Sequence, residues 1–107
     1  MITEQQVQTA LDWMIANEDG MAKAKADYHD LDRFSKTIKA ELMSQVSANM
    51  SVSAREIEAL AHQKYITHLS ALREAEQRFL QYEYKMDHNK MICQLWQTIS
   101  ANKRQSV

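Results

Sequence analysis

The sequence predicts an all-α protein: a long antiparallel, coiled-coil-like helical hairpin, with a short N-terminal helix packing near the C-terminal end. Three observations carry that prediction. The 107 residues include no proline and one glycine, Gly20, so the residues that punctuate turns are almost absent. Ala, Gln, Glu, Lys, Met and Leu are abundant and all favour helix, while aromatics are 7% of the chain. Apolar residues recur at steps of three and four along most of its length. A chain this long has room for one domain, 1–107.

The first helix is predicted over 4–17. Thr3 and Gln6 have the spacing of a capping box, in which each side chain satisfies the other's backbone amide. Val7, Ala10, Leu11, Met14 and Ile15 then draw one apolar stripe with Trp13 beside it. Asn17 to Gly20 weakens the helix, and Gly20 suits a left-handed C-terminal cap; a kink is preferred to a reversal. The second helix, 21–47, carries a heptad seam of Met21, Ala24, Tyr28, Leu31, Ser35, Ile38 and Leu42. Residues 48–53 form the loop, with Met50 and Val52 expected to plug the end of the bundle.

A second capping box, Ser53 to Glu56, predicts a third helix at 54–62 whose apolar stripe is Ile57, Leu60 and Ala61. An interruption at 62–64 separates it from a last helix, 64–102. There Tyr65, His68, Leu72, Ala75, Phe79, Tyr82, Met86, Asn89, Cys93 and Trp96 alternate steps of three and four, with Leu69, Leu80, Ile92, Leu95 and Ile99 widening the stripe. At about 1.5 Å per residue the second helix is ~40 Å long and the last nearly ~60 Å, so the two do not match. An antiparallel register that sets Met21 opposite Asn89 leaves Lys90 onward overhanging. The first helix is the natural cover, since Met1 to Gly20 holds four acidic residues and no basic one, whereas Lys85, Lys90, Lys103 and Arg104 make the far end basic. That placement pairs Trp13 with Trp96.

The function classes narrow by chemistry. A formal charge of −1 gives no global pull toward phosphate or anionic lipid. No stretch approaches the ~20 apolar residues that span a bilayer, and Met1 to Asp12 has neither the basic nor the apolar run of a signal peptide, so no membrane association and a cytoplasmic location are expected. The single Cys93 lies on the seam as a small hydrophobe, too far from His88 to be activated. Glu83, Asp87 and His88 with His29, Asp30 and Asp32 invite a metal-site reading, but the Glu-x-x-His pairs of a di-iron bundle are missing and these residues lie off the seam. Glu58 and His62 at i, i+4 suit an exposed ion pair. One glycine cannot build a phosphate-cradling loop. No catalytic residue, metal or cofactor is expected.

What the pattern does single out is a core or oligomer seam, Tyr28, Leu31, Ile38, Leu72, Phe79, Tyr82, Met86, Asn89 and Trp96. Asn89, polar at a seam position, is expected to face Ser35 or its own symmetry mate and to set register. Elongated helices in so short a chain leave apolar area to cover, which points to a homodimer. Lys90, Lys103 and Arg104 are the candidate nucleic-acid contacts. Lys23, Lys25, Arg33, Lys36 and Lys39 on the second helix are interleaved with acids, the ordinary look of a solvated face.

Ser53-Ala54-Arg55-Glu56, Ala59-Leu60-Ala61, Tyr65 with Leu69, and Leu95-Trp96-Gln97-Thr98 leading into Ala101-Asn102-Lys103-Arg104 resemble small helical proteins encoded in early regions of tailed temperate phages and prophages. Such relatives commonly carry an arginine where this chain has Gln97. The resemblance covers about half the chain. It implies a phage accessory role near recombination and early DNA metabolism, with an unidentified host or phage protein as partner, and brings no catalytic residue with it. The alternative is a small DNA-associated protein that binds single strands through its basic C-terminal ends.

Overall fold

A computed structural model of the chain describes residues 1–105. Four helices follow in order: α1 (Glu4–Ala16), α2 (Glu18–Ser44), α3 (Val52–Ala61) and α4 (Gln63–Gln105). They form two compact units, Ala24–Arg78 and Met1–Lys23 with Phe79–Val107, and the boundaries fall inside α2 and α4. The first unit is the antiparallel hairpin; in the second, α1 packs on the C-terminal half of α4.

In the hairpin unit the predicted seams face each other. Ala24, Ile38 and Leu42 on α2 and His68 and Ala75 on α4 are buried, with Tyr28, Leu31, Ser35, Tyr65 and Leu72 half-buried between them. Two packed helices cover a side chain from one side only, so the alanines Ala24 and Ala75 are lost to solvent while most of the larger seam residues stay half-covered. Ile38 and Leu42 are exceptions because α3 adds a third wall: Ala59 closes on them, with Met43 and Tyr65 at the edge.

Helix α3 starts earlier than its predicted box. Ser51, not Ser53, is the N-cap and accepts from the Ala54 amide at 3.1 Å. Glu56 is thereby released from capping and accepts from Lys39 Nζ at 2.8 Å. The predicted stripe is turned outward: Ala59 is 1% exposed, whereas Ile57 is 67% and Leu60 41% exposed, and Ala61 also faces water. The ion pair on one flank and the close fit of an alanine against Leu42 decide which side of α3 docks. Val52, expected to plug the end, is an exposed first-turn residue. His62 separates α3 from α4 with an extended ψ of 138°, and its ring Nδ1 accepts from the Lys64 amide at 3.0 Å, capping the last helix. This replaces the expected Glu58 pairing as the role of that imidazole.

In the unit built around α1, the capping box forms as predicted, with Gln6 N–H donating to Thr3 Oγ1 at 3.2 Å and Thr3 N–H to Gln6 Oε1 at 2.8 Å. Asn17 alone leaves helical geometry, at φ −111° and ψ 7°, and donates to the Trp13 carbonyl through both its backbone and its side chain. The Met21 amide then donates to Asn17 at 3.0 Å. One distorted residue bends the chain without reversing it. Gly20 is therefore no left-handed cap; it sits inside α2 with ordinary negative φ. Its value is close approach, because a Cβ there would lie 2.6 Å from Tyr82 Oη. The register accordingly sets the start of α2 beside Tyr82, one heptad away from the predicted Asn89. The slip, together with the bend, brings Trp13 to Tyr82, at 6.4 Å between ring centroids, instead of to Trp96, and Lys85 Nζ lies 5.9 Å from the Trp13 ring. Ala10, Phe79, Met86 and Asn89 are buried here.

Two outcomes follow from this packing. Leu42→Ala is expected to cost about 2–5 kcal/mol in urea unfolding, while Ile57→Ser, on the stripe the sequence assigns to the core, stays within about 0.5 kcal/mol; equal costs would mean that α3 docks by the other face. Gly20→Ala gains helix propensity but must displace Tyr82. A double-mutant cycle with Tyr82→Phe, which removes the nearest atom, is expected to show coupling of about 0.5–3 kcal/mol, and simple additivity would contradict the contact.

Candidate interaction surface

The seam of the hairpin unit contains one buried polar pair. His68, on the buried line of α4, places Nε2 2.8 Å from Ser35 Oγ on α2. Ser35 also donates to the Leu31 carbonyl of its own helix at 3.3 Å, which leaves its lone pairs to accept from a His68 Nε2–H. Phe34 and Tyr65 stand on either side of the imidazole, each 6.4 Å away between ring centroids. A serine beside a histidine is the start of a nucleophile and base, but this hydroxyl is tied to its own helix and the imidazole is walled by rings. The pair works as a register pin. Of the two expectations for Asn89, Ser35 or its own symmetry mate, the first is not met, since Ser35 faces His68; matching the single polar residue of the α2 seam to His68 is the signal that finds the true register.

Along the flanks the two arms are joined by charge-assisted bonds. The Tyr28 hydroxyl, donating to Glu76, is held above the usual phenol range first by that bond and then by the carboxylate's charge, slight desolvation and Asp32. The Glu56 carboxylate raises Lys39 above its ordinary value through their hydrogen bond, against a smaller opposing effect of desolvation. Lys64 approaches Glu41 at 3.8 Å. These rungs are half-buried to exposed and orient more than they stabilise.

The residues of the suggested metal cluster are divided between units: His29, Asp30 and Asp32 belong to the hairpin unit and Glu83, Asp87 and His88 to the other. His29 lies 5.3 Å from the Tyr28 ring. Among the described residues, no three His, Cys, Asp or Glu side chains are grouped as a metal ion would require. A groove of about 380 Å³ runs between the arms of the hairpin unit, floored by Leu31, Ala71 and Ala75 and rimmed by Asp27, Asp30, Glu74 and Arg78. Cys93 is half-buried on the inner line of α4, next to buried Asn89, whose Nδ2 finds no hydrogen-bond partner among the described residues.

Of the residues singled out from sequence, Tyr28, Leu31, Ile38 and Leu72 share the seam of the hairpin unit, and Phe79, Tyr82, Met86, Asn89 and Trp96 the inner side of α4 in the other. Lys90, Lys103 and Arg104 are exposed; the last two occupy the final turn of α4, where positive charge complements the helix dipole. Turned outward against expectation are Val52, Ile57 and Leu60 on α3 and Leu95, which widens the predicted stripe, on α4; Ile66, Tyr84 and Met91 on α4 are further exposed apolar residues that sequence reasoning missed. No described helix is long and apolar enough to cross a membrane. No family model, curated protein or solved structure matches the chain.

The Tyr28 bond sets a pH dependence. Because the folded value is raised above the ordinary 10.0, its contribution is complete below that value and is lost as pH rises through the folded one. The stability difference between wild type and Tyr28→Phe, followed by thermal melts, is expected to be constant at neutral pH and to shrink in the alkaline range; a difference independent of pH would contradict the bond.

Proposed function

We propose that the chain is a non-enzymatic phage or prophage accessory protein that acts through protein–protein contact, as a homodimer that presents helix faces to a host or phage protein. Support comes from one observation above all: large apolar side chains of α3 and α4 stand in solvent although each helix has a packed side. Exposed apolar faces on otherwise polar helices are the ordinary form of a helix-docking surface. The phage setting rests on the motif resemblance of residues 53–104, and a recombination or host-defence complex is the class of partner that such a setting supplies.

The surfaces that remain polar carry interleaved charge, which makes contact with a protein more favourable than contact with a phosphate backbone. Light scattering is expected to give twice the 12.5 kDa of one chain, and a labelled single-stranded oligonucleotide is expected not to bind at low salt. A salt-dependent shift lost on Lys103→Ala with Arg104→Ala would replace this function with single-strand binding.

A further inference from the structure

A second line of side chains runs down α4. Tyr84, His88, Met91 and Leu95 follow steps of four, three and four, the alternation of the inner line Tyr82, Met86, Asn89 and Cys93 displaced by two residues. Two residues turn an α-helix by about 200°, so this line lies opposite the side that packs on α1. Its large members are open to solvent, with Tyr84 65%, Met91 58% and Leu95 48% exposed.

Symmetry indicates what covers it. The line is complementary to itself when read backwards. About a two-fold axis between Asn89 and Lys90, Tyr84 meets the partner's Leu95 and His88 meets the partner's Met91, an aromatic ring against an aliphatic or thioether side chain at every layer. One patch that fits its own copy is what a closed two-fold contact demands, and a thioether over a ring is a favourable contact.

We infer that the outer line of α4 is a self-pairing seam whose occupant is the α4 of a second, antiparallel copy of this chain. This rests on the homodimer proposed above and gives it an address. The inner side of this part of α4 carries α1, and the outer side joins two copies.

The test is sedimentation of the full chain. Wild type is expected to be dimeric, and Met91→Glu with Leu95→Glu to halve the mass while helical circular dichroism is unchanged, since both positions are exposed. Ile57→Glu with Leu60→Glu, on α3, is expected to remain dimeric. If the α4 variant keeps the wild-type mass, the seam is elsewhere and this inference fails while the homodimer stands; a wild type that is monomeric at every concentration removes both. Disulfide trapping supplies a readout that does not depend on a disrupted variant folding. In a Cys93→Ala background, a mixture of His88→Cys and Met91→Cys copies is expected to cross-link one to the other. Cross-links only between like copies would overturn the antiparallel pairing.

Discussion

Both units depend on one line of side chains along the inner side of α4. In the hairpin unit it meets the seam of α2, and in the other it meets α1 and the first turns of α2. A contact between two helices shields a side chain on one face only. That is why Ala24 and Ala75 disappear from solvent while Tyr28, Leu31 and Leu72 remain half-covered. Large residues become buried where a further element arrives: Ile38 and Leu42 under α3 are the clearest case. With so little fully buried apolar volume, stability is shared among many half-buried contacts, and the exposed remainder is a direct result of the architecture.

Three features break the monotony of the line, and two of them hold its register. Ser35 and His68 must stay opposite each other, because a slip would leave the buried His68 imidazole without its partner, at about 1–3 kcal/mol. Gly20 favours its place beside Tyr82, because a Cβ there would push the phenol aside. Asn89 is a polar interruption of the same line, buried with an amide donor that finds no partner among the described residues, which costs stability rather than fixing register. Polar and small residues thus carry specificity that the apolar ones cannot.

Apolar residues on both sides of a helix usually mark an element buried all round. In α4 one side serves the fold and the other is open, and α3 goes further by docking through Ala59 and the ion-paired Glu56 while Ile57 and Leu60 face water. For a chain whose polar groups are engaged in caps, rungs and a register pin, such surfaces are where a binding role has room to reside.

The sequence by itself determined the helices, the break at His62, the weak point near Asn17, the Thr3 cap and most members of the two seams, since capping chemistry and heptad spacing are local. It did not determine that Ser51 rather than Ser53 starts α3, that α3 turns its apolar stripe outward, or that Tyr82 rather than Asn89 faces the start of α2. The physical reason is degeneracy. A heptad pattern shifted by seven residues falls on itself, so the apolar spacing is satisfied equally by registers one heptad apart. Likewise, periodicity tells which side of a helix is apolar but not which side has a partner. Only the tertiary structure, through the fit of Tyr82 on Gly20 and of Ala59 under Leu42, decided between them.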